Sequence, residues 1–238
     1  NNIVFAMIGS LTHLSAAMLF FVGSHFVLSS LPIRTPVITK IGDKAFAGLY
    51  SLIALAGMIW IVMAYRAAPD IVYWEPHTAF KHLSLSLMPV ATICIVAGTV
   101  NARKNLEAPD VNGPRGIFRI TRHPMMWGTA LWGILHVLGN GDGAALILFS
   151  GFSFLAIIGT HLGDRRKALT LGDEWQRAAA QTSNIPFAAI FQKRTEFKAS
   201  EIGWLPVIIG FAVYLVLLIL HETFFGIAPM SWVSGLFD

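Results

Sequence analysis

Charged side chains are scarce in this sequence: Asp, Glu, Lys and Arg make up 13% of its 238 residues, whereas 55% are hydrophobic. A soluble domain would be about a quarter charged. The apolar residues also form long continuous blocks, without the period of a half-buried strand or surface helix. These features exclude an ordinary soluble domain. They predict an all-α, polytopic membrane helical bundle, because a spanning helix satisfies its own backbone hydrogen bonds.

Cysteine is almost absent as well. The single Cys94 lies inside an apolar block. The sequence therefore excludes an internal disulfide and a cysteine-ligated metal cluster. The first apolar block lacks a basic start and is longer than the core of a signal peptide, so we expect it to be retained.

Six apolar blocks are candidates to span the membrane, which takes about 20 residues each. They cover residues 3–31, 45–65, 83–100, 125–138, 144–162 and 204–220. We therefore expect a single integral membrane domain, residues 1–238, with about six transmembrane helices and a cytoplasmic segment at 163–203. Within that segment, residues 164–175 predict a short amphipathic helix with a break at Gly172. The apolar run 185–191 is too short to span, which favours an interfacial or re-entrant position.

The positive charges are divided unevenly between the two sides of this arrangement. Fifteen of the seventeen Lys and Arg residues fall between blocks one and two, three and four, or five and six. The opposite side holds only Arg66 and Lys81. Loops rich in Lys and Arg face the cytoplasm, so we expect both termini to be non-cytoplasmic. Because topology accounts for the net charge of +4, we expect no nucleic-acid partner.

The histidines are the chain's most informative polar residues, because an ionisable side chain inside an apolar span is costly and marks a functional site. Four of the eight, His13, His25, His136 and His161, lie within apolar blocks. With a rise of 1.5 Å per residue, His25 lies about 13 Å from Arg34 and His136 about 21 Å from Arg122, both taken as cytoplasmic markers. His25 and His136 are thus the pair nearest the middle of the membrane. Two neutral imidazoles from facing helices can hold haem iron in a bundle core. The alternative is that each only hydrogen-bonds a neighbouring helix.

Small and aromatic residues precede His136 by one or two helical turns. Gly128 and Gly133 would leave room for a flat cofactor, and Trp127 and Trp132 could stack on it. The alternative for the two glycines is close helix packing.

Several motifs occur in a characteristic order along the chain. They are Ser24-His25, Ser30-Leu-Pro-Ile-Arg34, Leu49-Tyr-Ser-Leu52, Arg119-Ile-Thr-Arg-His-Pro-Met-Met-Trp-Gly128, His136, Asn140-Gly-Asp142 and Gly163-Asp-Arg-Arg166. Through these motifs nearly the whole sequence resembles the NnrU family. That family takes in bacterial proteins linked to nitrite and nitric oxide reduction, and the 15-cis-ζ-carotene isomerases of plants and cyanobacteria.

The resemblance implies an integral membrane protein, here of a bacterial inner membrane, that binds haem b through His25 and His136. It implies either a cis–trans isomerase of a polyene that enters from the lipid bilayer, or a haem accessory or redox protein for nitrite and nitric oxide reduction. Neither version identifies a redox partner. Plant members carry a Cys three residues before the second histidine, where this chain has Gly133. An exchange between that Cys and a histidine ligand is therefore unavailable here.

Under the same resemblance, a polar collar formed by Arg122, His123, Asp164 and Arg165 would seal the cytoplasmic end of the bundle. The alternative for these residues is anchoring at the membrane interface.

A more distant resemblance leads to another cofactor. The motif Arg122-His-Pro-Met-Met-Trp-Gly128, followed by Leu171-Gly-Asp-Glu-Trp175, is similar to the membrane methyltransferases of isoprenylcysteine and of phospholipid ethanolamine. This implies, as the alternative function, methyl transfer from S-adenosylmethionine to a lipid or isoprenylated substrate. In that case Arg122 and His123 would matter, and His25 and His136 would not.

Overall fold

The structure is a computed structural model that describes residues 9–106 and 113–229. Within these ranges the regular secondary structure is helical, apart from one isolated bridge between Val72 and Asp142. The predicted all-α fold class is therefore confirmed.

The helices follow the apolar blocks closely. They are α1 (Leu11–Ser29), α2 (Leu31–Ile41), α3 (Asp43–Ala67), α4 (Thr78–Leu106), α5 (Pro124–Gly139), α6 (Gly143–Leu171), α7 (Asp173–Gln181), α8 (Ala188–Phe191), α9 (Trp204–Ile219) and α10 (His221–Phe225). Two short 3₁₀ turns lie at Gly116–Arg119 and Ala199–Glu201. The first block's residues 3–8 lie outside the described residues.

Four helices are long and apolar enough to cross a membrane: α1, α3, the Thr78–Val100 part of α4, and α6. Helices α5 and α9 have 16 residues each. At 1.5 Å per residue they reach about 24 Å, which is shorter than a hydrocarbon core of about 30 Å. The predicted count of about six spans is therefore not confirmed. The protein is nevertheless an integral membrane protein, with large apolar side chains such as Leu19 (73% exposed) on its surface.

The segment after the fifth block differs from the prediction. Residues 164–171 do not begin a separate amphipathic helix, because α6 continues through them to Leu171. The predicted break at Gly172 is confirmed: its φ of +53° is a left-handed value that favours glycine. The sequence also did not predict α2. This helix tolerates Pro32 because proline lacks a backbone N–H, and the N–H groups of a helix's first turn have no hydrogen-bond partner within the helix.

The described residues form two compact units. The first comprises the chain up to Ser84 together with Thr129–Gln176. Its core lies on α1, which packs against α3 and α6. The buried members are Leu14, Ala17, Met18, Phe21, Val22, Ile61, Ala64 and Ala144. The expectation of one domain over residues 1–238 stays a prediction.

The directions of three helices in this unit matter for the site. Helices α1 and α6 run the same way, because Leu11 lies beside Gly143 and Met18 beside Gly151. Helix α5 runs the opposite way. Its Ala130 carbonyl accepts a hydrogen bond from Ser153 of α6 (3.1 Å), while His136, later on α5, contacts a residue earlier on α6.

The second unit comprises Leu85–Gly128 and the chain from Arg177 onward. The Tyr214 hydroxyl of α9 donates to the Leu85 carbonyl of α4 (3.1 Å). The Trp127 indole of α5 donates to the Asn184 carbonyl (2.8 Å). The apolar run 185–191 forms α8 and the turn before it, in which Ala189 is fully buried. Its interfacial or re-entrant position stays a prediction.

Candidate functional site

His25 lies on α1, half-buried between two aromatic rings. Its ring centroid is 4.3 Å from that of Phe21 and 5.3 Å from that of Tyr50, the latter edge-on. Its Nδ1 is 2.7 Å from the carbonyl oxygen of Phe21, four residues earlier. The hydrogen bond holds the ring back along α1, toward the start of the helix.

His136 lies on α5 and has the same local arrangement. Its Nδ1 is 2.8 Å from the carbonyl oxygen of Trp132, again four residues earlier. The ring stacks on Phe149 of α6 with centroids 4.3 Å apart and planes at 19°. It also contacts the Trp132 ring at 4.8 Å. This imidazole, too, is directed toward the start of its own helix.

The two hydrogen bonds determine which ring nitrogen can act as a ligand. A carbonyl accepts only from N–H, so each neutral ring carries its proton on Nδ1 and its lone pair on Nε2. Histidines that bind metals almost always donate their other ring nitrogen to a carbonyl or carboxylate in this way. Two neutral imidazoles with this tautomer are a donor set of the kind that would hold haem iron.

The helix directions bring the two imidazoles toward a shared layer of aromatic rings. Because α1 and α5 run in opposite directions relative to α6, side chains that lean toward the start of each helix approach one another. Phe152 of α6 joins the two sides: its centroid lies 5.6 Å from that of Phe21 and 5.9 Å from that of Trp132. His25 and His136 thus lie at opposite edges of the layer formed by Phe21, Phe152, Trp132 and Phe149.

Gly133 lies on the face of α5 that meets α6. A Cβ there would lie 2.6 Å from the Phe149 carbonyl oxygen and in conflict with the Ser153 hydroxyl. Of the two alternatives for this glycine, the structure shows close helix packing. A direct contact of Gly133 with a cofactor stays a prediction, as does the stacking of Trp132. Gly128, in the second unit, similarly lies against the Ala91 carbonyl of α4.

The four residues of the polar collar belong to different units. Arg122 and His123 lie in the second unit, where the Arg122 N–H donates to the Ser183 carbonyl (2.9 Å) and its guanidinium to the Thr182 hydroxyl (3.2 Å). Asp164 and Arg165 lie on α6 in the first unit. The sealing of one end of the bundle by all four stays a prediction.

One ion pair was missed by the sequence analysis. The Arg119 guanidinium binds both carboxylate oxygens of Glu201, at 2.7 and 3.0 Å. The Gly116 N–H adds a third hydrogen bond to Glu201 at 3.2 Å. The pair connects residues 82 positions apart, so no local spacing could have identified it.

Comparison with known proteins agrees with the resemblance found in the motifs. The family described as NnrU protein matches residues 13–229. The 15-cis-zeta-carotene isomerase of Arabidopsis thaliana is 39% identical over 95 residues, and that of Zea mays is 36% identical over 95 residues. Each match covers 37% of this chain and 26% of the relative, so the chain spans about a quarter of the length of these curated relatives. No solved structure matches the chain. Because the family match extends over most of the sequence, the chain belongs to the NnrU family.

Proposed function

We propose that this protein binds haem b, and that Nε2 of His25 and Nε2 of His136 would hold its iron. The observation that carries the proposal is the matched pair of Nδ1 hydrogen bonds to the carbonyls of Phe21 and Trp132. They select the tautomer that a haem ligand needs, on two helices whose histidines lean toward one aromatic layer.

The residues around the two histidines have supporting roles in this proposal. Trp132 and Phe152 would supply apolar ring contacts to the porphyrin. Gly133 keeps α5 close to α6, which holds the His136-bearing helix in register with the rest of the unit. The collar residues Arg122 and His123 have no part in ligation.

We further propose that the protein is a cis–trans isomerase of a polyene. This is supported by the two relatives, which are described as 15-cis-zeta-carotene isomerases. Haem, when bound, supplies a redox-active iron that can interact with a conjugated double bond. The chain's own residues would bind and orient the substrate, since aromatic rings pack well against a flat apolar chain. The apolar helix faces would let a polyene enter sideways from the bilayer. A bacterial inner-membrane location with both termini non-cytoplasmic belongs to the same proposal and is supported by the charge asymmetry.

The ligand assignment is tested by the visible spectrum of detergent-purified protein, oxidised and dithionite-reduced, with a pyridine haemochrome assay. We expect a Soret band and sharp reduced α and β bands from the wild type. His25→Ala and His136→Ala should each lose or shift them. The matched control is His221→Ala, because His221 also holds its Nδ1 at a carbonyl (Ile227, 2.7 Å) but belongs to the second unit, whereas His25 and His136 belong to the first.

Two results would contradict the ligand assignment. One is an unchanged spectrum in both single variants. The other is a colourless wild type, after expression with ample haem, that binds S-adenosylmethionine and loses this binding in Arg122→Ala. The second result would favour the methyltransferase alternative.

The isomerase activity is tested separately. Reduced protein is incubated with a 15-cis polyene in the dark, and the isomers are separated by chromatography. Conversion that disappears in His25→Ala would support the proposal. A haem-loaded protein that converts no polyene would instead favour an accessory role in nitrite and nitric oxide reduction.

A further inference from the structure

A second candidate site lies in the first unit. It is a cavity of about 350 Å³ between α2 and the last turns of α6. Its lining consists of Leu31, Arg34, Thr35, Ile38, Thr39, Arg166 and Thr170. A volume of this size falls in the range of pockets that bind small molecules.

The charge of this cavity is one-sided. Arg34 and Arg166 are both half-buried, and no acidic residue is among those that line the cavity with them. Two guanidinium groups that share a partly desolvated cavity repel each other, and each favours an anionic partner. Arg34 is held in place from the other side, since its guanidinium carbon lies 4.9 Å above the ring of Phe46. Arg34 and Arg166 are therefore placed to bind an anion together.

Two of the three threonine hydroxyl groups of the lining are already engaged. Thr39 donates to the Thr35 carbonyl (2.9 Å) and Thr170 to the Arg166 carbonyl (3.0 Å). The two guanidinium groups and the Thr35 hydroxyl are thus the donors of the lining that a ligand could use. The planar forks of the guanidinium groups match the oxygen atoms of a phosphate group.

The position of the cavity indicates where such a phosphate would come from. It lies where the apolar stretch of α6 ends in Arg165 and Arg166. Because Lys and Arg flank spans on the cytoplasmic side, we infer that this end of α6 lies near the membrane–water interface. Exposed apolar side chains flank it: Ile33 (42%), Ile41 (45%) and Leu169 (67%). Basic pockets between helices at this level bind the head groups of anionic lipids.

We propose that Arg34 and Arg166 form a binding site for the phosphate of an anionic phospholipid, with the acyl chains lying along the apolar residues beside the cavity. Neither proposed haem ligand is among the residues that line the cavity. Failure of the lipid proposal would leave the haem proposal untouched, and the reverse also holds.

The test is lipid retention by full-length protein in nanodiscs of phosphatidylcholine with a minor fraction of phosphatidylglycerol, read by native mass spectrometry after release. We expect Arg34→Gln and Arg166→Gln each to reduce retained phosphatidylglycerol about fivefold or more, while the Soret band stays at wild-type intensity. The matched control is Lys40→Gln, which removes the same charge from an exposed position on α2 outside the cavity. It should retain wild-type amounts.

A second variant tests the cavity without changing charge. Thr39→Trp adds bulk to the lining at an exposed position and leaves both guanidinium groups in place. It should also lose phosphatidylglycerol, and it keeps the test decisive if an arginine variant fails to fold.

Three outcomes would overturn the proposal. Equal losses in Lys40→Gln would show that lipid is attracted by surface charge in general. Unchanged retention in the arginine variants and in Thr39→Trp would show that the cavity holds no lipid. If inorganic phosphate raises the melting temperature of wild type but not of Arg34→Gln, and lipid retention does not depend on the arginines, the site takes free phosphate instead.

Discussion

The indole N–H of Trp60 donates a hydrogen bond to Nε2 of His13 over 2.7 Å, and so connects α3 to α1 across 47 residues of sequence. The His13 and Trp60 rings are also in contact, with centroids 5.9 Å apart. Because Nε2 accepts, His13 is neutral and carries its proton on Nδ1. That Nδ1 is buried and has no partner among the described residues. The Trp60 hydrogen bond is thus the stabilising polar contact of this imidazole.

The first prediction concerns this pair. Trp60→Phe removes the donor and leaves neither ring nitrogen of His13 with a partner among the described residues, so we expect a loss of about 1–3 kcal/mol of stability. His13→Leu with Trp60→Phe removes both polar groups and should cost less than the sum of the single changes. Thermal unfolding in detergent measures all three variants. Additive effects would contradict the proposed coupling.

The second prediction concerns the approach of α5 to α6. Gly133→Ala places a methyl group against the Phe149 carbonyl, a backbone atom that cannot rotate away. We expect a loss of about 1–3 kcal/mol, together with a weaker or shifted Soret band because His136 follows on the same helix.

The control for this change is Gly23→Ala on α1, where a Cβ has no neighbour within 4 Å. It should be neutral or stabilise the helix by about 0.5–1 kcal/mol. If Gly133→Ala and Gly23→Ala have the same effect on thermal unfolding, then Gly133→Ala does not act by disturbing close packing.

The third prediction is a pH dependence set by Glu201. Hydrogen bonds from Arg119 and from the Gly116 N–H lower the pKa of Glu201 from 4.5 to about 2. Because the pKa is lower in the folded than in the unfolded protein, the ionised carboxylate contributes stability above about pH 4.5, and this is lost as the pH falls toward about 2. Glu201 is partly exposed, so solvent screening reduces the size of the effect.

The measurement for Glu201 is the melting temperature across this acidic range. Glu201→Gln should lower stability at neutral pH and flatten the acidic slope. The matched control, Glu196→Gln, removes a carboxylate that is 82% exposed and 3.9 Å from Lys198, and should leave the slope unchanged. An identical slope in wild type and Glu201→Gln would rule out the role assigned to this carboxylate.

The helices were largely predictable because their signals are local. Apolar blocks of the right length predicted α3, α4 and α6, and the helix break predicted at Gly172 lies where α6 ends. The ends of blocks near charged residues were harder to place. Asp164 and Arg165 indicated a new helix, yet the backbone hydrogen bonds of α6 continue through them, since charges that reach the interface do not interrupt a helix. Helix α2 was not predicted, because Pro32 and Pro36 by themselves are typical of a loop. Only the structure shows that Pro32 lies in the first turn of a helix.

The candidate site was predictable only in part. His25 and His136 were identified by their depth in apolar blocks and by the family motifs, both of which depend on the sequence alone. Their shared aromatic layer was not predictable, because Phe152 takes part only through the packing of α1 and α5 on α6. Gly133 could be assigned either to a cofactor or to helix packing until the position of the Phe149 carbonyl was known.

By itself, the sequence determined that this protein is a helical membrane protein of the NnrU family, with His25 and His136 deep inside its apolar blocks. Hydropathy, turn residues and motifs are local signals that each concern one helix or turn. They can therefore be read directly from the sequence. The tertiary structure alone decided that the two imidazoles lean toward one layer, that Arg119 binds Glu201, and that Arg34 and Arg166 share a cavity. These relationships join residues far apart in the chain, and they follow from helix directions and close packing, which no single segment encodes.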